Sequence, residues 1–143
     1  MSTLNNAISA SASALSAERT RIEVAISNMA NAESTRSANG EPYRRRDVVL
    51  VSDPVASFDN ALGKATATGV KVAGVVTDQG EFQRRYEPSH PDADADGFVS
   101  LPNVDQAQEM VDMLGAARAY QANLAAISMI RDLVAKALEL GRS

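Results

Sequence analysis

The stretch HPDADADGFV, residues 90–99, sets carboxylates at Asp92, Asp94 and Asp96 and follows them with Gly97. Alternate acidic residues before a glycine open a calcium loop of the EF-hand kind, in which oxygens at successive odd positions meet the cation. A loop starting at Asp92 needs a bidentate carboxylate at its twelfth position, and Asn103 stands there. A neutral amide does not replace that ligand. The incoming helix would be EFQRRYEPSHP, which alternates like a strand and carries two prolines. The competing account is that short Asp side chains make Asx turns and hold the chain in a tight, solvated reversal.

Other residues with chemical potential are few. His90 is the only histidine, and Pro91 after it holds its backbone extended. The absence of cysteine excludes disulfides, thiolate zinc sites and cysteine nucleophiles. Nothing resembles a nucleophile elbow. Arg44, Arg45 and Arg46, with Arg84 and Arg85, form basic clusters that read as solvated strand edges protected from mispairing by charge. Their functional reading is contact with an acidic partner or an anionic polymer. No catalytic, cofactor-binding or metal residue is assigned on these grounds, and no cofactor is expected.

Two long helices must frame these residues. In the first, from about Leu4 to Asn31, Ile8, Leu15, Ile22 and Met29 recur every seven residues, with Leu4, Ala12 and Ile26 between them. Small residues such as Ser11 and Ala25 fill intermediate positions, and Asn31 can cap the C-terminal end. In the second, from about Val104 to Leu140, Met113, Tyr120, Ile127 and Val134 recur every seven. Met110, Ala117, Leu124 and Leu138 form the expected partner column, with Ile130 standing in where Arg131 breaks it. Asn103 reads as the N-cap of this helix, Gln106 as its capping-box partner and Asp105 as an acid in the positive first turn. Gly141 marks its end.

Residues 39–101 differ, holding four of the five prolines and six of the eight glycines. VVLV (48–51) reads as a strand. GVKVAGVV (69–76) and EFQRRY (81–86) alternate on either side of TDQG (77–80), which predicts a hairpin with Val70, Val72 and Val76 on one face. Residues 52–68 are rich in Ala, Ser and Thr and fit a long loop with a short helix.

The composition supports an elongated rather than a catalytic design. The net charge of −4 lacks the concentrated basic face of a nucleic-acid-binding module. Aromatics make up only 4% of the chain and tryptophan is absent, so few side chains can fill a large core. No apolar run is long enough for a membrane span, and no secretory signal is visible at the N-terminus. A helix from 104 to 140 is about 55 Å long, whereas a compact chain of this size is roughly 37 Å across. The helices therefore overshoot their own domain. The predicted fold is α+β: N- and C-terminal helices paired as an elongated coiled coil, with a small β-rich insert between. The divisions are 1–36, 37–101 and 102–143. Apolar residues off the seam, such as Val111, Leu114 and Leu133, need other chains to cover them.

Three segments carry a resemblance. SNMANAESTRS (27–37), HPDADADGFVSLPNV (90–104) and EMVDMLGAARAYQANLAAISMIRDLVAKALELG (109–141) resemble the flagellar basal-body rod family. Where that family often has Asn-Thr, Glu33-Ser34 stand here. The resemblance implies a structural, non-enzymatic axial subunit that stacks helically in a hollow rod and carries torque. It implies partners in copies of itself, other rod proteins, the membrane-ring and export-gate adaptor, and the flagellar type III export apparatus. Neither nucleic acid nor a small-molecule substrate is expected. It implies a periplasmic position in the basal body, reached without a cleaved signal peptide. The assembly surface is then expected along Leu4, Ile8, Leu15, Ile22, Ile26 and Met29, and along Met110, Met113, Leu114, Ala117, Tyr120, Leu124, Ile127, Val134 and Leu138. The alternative is a calcium-dependent or peptide-binding module on a coiled-coil scaffold.

Overall fold

In the computed structural model, residues 2–37, 39–54 and 68–141 are described. Helix α1 spans Ser2–Ala30 and helix α2 spans Gln106–Leu140. At 1.5 Å per residue they are about 44 and 52 Å long. They pack antiparallel along their length: Asn28 near the end of α1 meets Glu109 at the start of α2, while Leu4 and Ile8 face Val134 and Leu138 at the other end. The α+β architecture is as the sequence predicts, with the helices enclosing a β insert.

The seam on α1 follows the expected stripe. Leu4, Ile8, Leu15, Ile22 and Met29 are half-buried, and Ala17 and Ala25 let the backbones approach closely. Ile26 falls outside it and is half exposed. On α2, Met113, Tyr120, Ile127 and Val134 are half-buried, as predicted. Their partner column is different from the predicted one. Ala117 and the predicted stand-in Ile130 are half-buried, but Met110, Leu124 and Leu138 are about half exposed, as is Leu114, and Glu109, Ala116 and Asn123 turn inward. Spacings of three and of four from Met113 both satisfy a heptad. Apolarity favoured the column at 110 and 124, but the chain places a carboxylate and an amide in the seam instead.

The insert also departs from the predicted hairpin. Strand β1 (Arg46–Pro54) pairs antiparallel with β2 (Thr68–Thr77), from Arg46 opposite Thr77 to Pro54 opposite Thr68. Val49 faces Gly74 and Leu50 faces Val72, so Ala73 is bulged. Strand β3 (Gln83–Tyr86) pairs instead with β4 (Phe98–Leu101). Alternation identifies strands and not their partners. Pairing β1 with β2 lets Val48, Leu50, Val70 and Val72 turn toward α1, whereas β3 is exposed at all four positions. Val76 lies beyond the bulge and is half exposed, off the predicted face. Most of the expected loop at 52–68 lies outside the described residues; positions 52–54 and 68 are strand.

Helix α1 holds the β1–β2 ribbon by two side chains. Near its C-terminal end the Asn28 amide donates to the Arg46 carbonyl (2.8 Å) and accepts from the Arg46 N–H (3.0 Å). Fifteen residues earlier, Ser13 Oγ accepts from the Val70 N–H at 3.1 Å and donates to the Ala10 carbonyl. The Arg46 N–H and carbonyl and the Val70 N–H thereby gain partners. The close approach requires Gly69, since a Cβ there would lie 2.7 Å from Ser13 Oγ. A small core of Ala32, Tyr43 and Val104 joins the turn after α1, the segment before β1 and the entry to α2.

The N-cap of α2 is Asp105 and not Asn103. The Asp105 carboxylate accepts from the Ala107 and Gln108 N–H groups, and Gln106 is the first helical residue. Asn103 is drawn off the helix because its Oδ1 accepts from the Arg45 N–H at 2.9 Å. At the other helix end, the Asn31 side chain donates to the Ser27 carbonyl, as a C-terminal cap should. No helix among the described residues is long and apolar enough to cross a membrane.

Candidate functional site

Where the insert meets the helix pair, a buried polar junction forms. Asn28 is fully buried and makes all four hydrogen bonds an amide can make. Its Oδ1 accepts from the Tyr43 hydroxyl (2.8 Å) and the Arg46 N–H. Its Nδ2 donates to the Arg46 carbonyl and to Glu109 Oε2 (2.9 Å). Glu109 is only 2% exposed, and its other oxygen accepts from Arg45 Nε at 2.6 Å. Arg45 also faces Asp47 at 3.5 Å and Asp112 at 3.6 Å. Burial works to lower the Arg45 pKa, but the hydrogen bond and charge of Glu109 outweigh it, and the guanidinium is pushed above its ordinary value. Arg45 is thus a structural ion-pair partner rather than a solvated edge charge. Its neighbours keep closer to the surface: Arg44 stacks over Phe82 at 4.2 Å, and Arg46 lies over the Tyr43 ring.

Sequence reasoning passed over Asn28, Tyr43 and Glu109, and read Arg45 as part of a solvated basic strand edge. A carboxylate at helical spacing from Met113, directly after a helix start, was the one available signal. Its partners lie 64 and 81 residues away, and no local pattern marks them.

The Asp tract forms a second junction. Asp92 accepts from Thr35 Oγ1 (2.8 Å) and pairs with Arg36 (2.6 Å), tying residues 34–37 to the loop before β4. Asp94 Oδ1 accepts from the N–H groups of Asp96 and Phe98, an Asx turn, and its Oδ2 meets Arg84 at 2.8 Å. The Phe98 N–H is the strongest influence holding the Asp94 carboxyl below its usual range, with the Asp96 N–H and Arg84 adding to it. Gly97 turns with φ +81°, beneath the Tyr86 ring that packs edge-on against Phe98. The carboxylates of Asp92 and Asp94 are therefore held by cationic side chains and backbone donors. Among the described residues no group of three or more His, Asp or Glu is placed to hold a metal ion. The tract is a loop clasp, as the Asx-turn account holds, with the Arg36 tether added by the tertiary fold.

The third feature is the outside of α2. Met110, Leu124 and Leu138 form a column flanking the seam, with Leu114 beside it, and α1 leaves all four about half exposed. Val111, Met129 and Leu133 are exposed elsewhere around the same helix. At the far end of the pair an open groove lies between Leu4, Ile8, Val134 and Leu138.

Comparison with known proteins agrees with this architecture. A family model described as the C-terminal region of flagellar basal body rod FlgEFG proteins matches residues 95–140. The chain is 42% identical, over 97% of its length and 98% of the relative, to the flagellar basal-body rod protein FlgC of Salmonella typhimurium. The same identity holds against FlgC of Bacillus subtilis, over 96% of this chain and 97% of that one. FlgC of Borreliella burgdorferi is 35% identical over 96% of this chain and 97% of that one. The paired helices and their β insert are those of a bacterial flagellar basal-body rod protein, a structural class. Within that class, the chain belongs to the FlgC family.

Proposed function

We propose that the protein is an axial subunit of the proximal rod, assembled helically and without enzymatic activity, that transmits torque through the basal body. The observation that carries this reading is the uncovered apolar surface of α2, the Met110–Leu124–Leu138 column above all. Apolar side chains exposed on several sides of one helix fit a helix enclosed by neighbours. The assembly surface takes in that column, Leu114, Ala117 and the terminal groove at Leu4, Ile8 and Leu138. The seam residues Leu15, Ile22, Met29, Met113, Tyr120, Ile127 and Val134 act by holding the pair that presents it.

The partners are copies of the same chain, the other rod proteins and the adaptor joining the rod to the membrane ring and export gate. The chain reaches its periplasmic position through the flagellar type III export apparatus. Deleting the gene is expected to abolish swimming and leave basal bodies without a rod, and restoring the chain is expected to recover both. Electron microscopy of isolated basal bodies checks this. Complete rods and normal swimming in the deletion strain would overturn the proposal.

A further inference from the structure

The apolar seam of the helix pair repeats with one period on both helices. Ile8, Leu15, Ile22 and Met29 on α1, and Met113, Tyr120, Ile127 and Val134 on α2, each recur every seven residues. Sliding one helix past the other by a heptad, about 10.5 Å, returns an apolar layer to nearly every position. Such a seam favours pairing but leaves the stagger weakly specified. The polar junction does not repeat. Seven residues from Glu109 stands Ala116, and seven residues from Asn28 stands Arg21. A slipped pair would part Asn28 from Glu109 and Glu109 from Arg45.

We propose that the Glu109–Arg45 pair, joined to Asn28, is the register lock of the helix pair. It selects one stagger among seam alignments that the apolar residues alone barely distinguish. Glu109 suits this role because its two oxygens answer to different elements: Asn28 on α1 and Arg45 at the entry to β1. Helix stagger and insert position are thereby set together. Buried polar groups in helix seams act in this way at some cost in stability. The inference is independent of the rod reading, since it concerns the fold of one chain.

The test uses the full chain, which has no cysteine of its own. Spin labels are placed on cysteines at the exposed positions Ser16 and Gln121, one on each helix. Pulsed electron paramagnetic resonance then reads the distance between them. The wild-type background is expected to give one narrow distribution. In Arg45→Met/Glu109→Leu the ion pair becomes apolar, while Asn28 keeps Tyr43 and both backbone groups of Arg46. The lost acceptor for one Asn28 N–H offsets the gain from apolar packing, so this variant is expected to melt near the wild-type temperature. It is also expected to show a second distance population, above about 10% of molecules. That population should be displaced by a few ångström, because the two sites stand level across the pair and a slide of about 10.5 Å adds in quadrature to their separation. A residue with a merely structural role would lower the melting temperature and leave the distance unchanged. A folded variant with one narrow, wild-type distribution overturns the proposal. Should the double variant not fold, Glu109→Gln decides by the same measurement. It keeps the acceptor for Asn28 and loses the Arg45 bond, so a second population supports the lock and a single one overturns it.

Discussion

Glu109 is the residue on which the buried junction turns. Removing its carboxylate takes the nearest partner from the Arg45 guanidinium, which keeps Asp47 and Asp112, and leaves one N–H of the buried Asn28 without an acceptor. The unpaired donor and the lost short ion pair together cost about 1–3 kcal/mol, since Arg45 keeps other carboxylates. Glu109→Ala is expected to lose that much in urea denaturation, with the helices still formed in the folded fraction. Asp94 offers a different readout. Its folded pKa lies below its ordinary value, so the unfolded chain binds the proton more readily. Its contribution is complete above the unfolded carboxylate value of about 3.9 and disappears as pH falls through the lower folded value. In nuclear magnetic resonance spectra the Asp96 and Phe98 amides are expected to shift below about pH 4. In Asp94→Asn that acid titration should vanish, because Asn keeps the turn and loses the charge.

The β1–β2 ribbon depends on its fit to α1. A two-stranded ribbon is marginal by itself, and this one gains order from Asn28 at one end and Ser13 at the other. Gly69→Ala sets a methyl 2.7 Å from Ser13 Oγ. The hydroxyl must rotate away and lose the Val70 N–H, or the ribbon must lift. The expected loss is about 1–3 kcal/mol, of the order seen for overpacking. Adding Ser13→Ala relieves the clash without restoring the hydrogen bond. The double variant should therefore be less destabilised than the sum of the single ones. Thermal denaturation of the four proteins completes the cycle, and strict additivity would mean that the two sites do not touch.

The assembled molecule separates two neighbouring leucine-like positions. Ile127 lies in the seam against α1, and Leu124 lies in the outer column. Ile127→Asp buries a carboxylate without a partner, and a loss of about 2 kcal/mol or more is expected in the isolated chain. Leu124→Asp meets solvent in that chain and should stay within about 0.5 kcal/mol of wild type. In a deletion strain both variants should fail to restore swimming. Ile127→Asp would fail because the pair is unstable, Leu124→Asp because a charge stands where a neighbour packs. Calorimetry on the purified chains and motility of the complemented strain distinguish these causes. A fully motile Leu124→Asp strain would remove that column from the assembly surface.

Local chemistry was enough to mark both helices, the seam at Ile8 to Met29 and Met113 to Val134, the strands at 48–51 and 69–76, and, within 81–86, the strand at 83–86. Helical and strand periods are written in neighbouring residues, and a seven-residue spacing survives any tertiary arrangement. The Asx turn at Asp94 was legible for the same reason. Partner choice was not. That β2 pairs with β1, that Asn103 serves Arg45 and leaves the N-cap to Asp105, and that Arg36 holds Asp92 each depend on residues brought together from distant segments. The inward column of α2 was decided in the same way. Met110 and Leu124 are more apolar than Glu109 and Asn123. Only with Asn28 and Arg45 already in place can Glu109 turn inward at low cost, and that leaves the apolar column facing out.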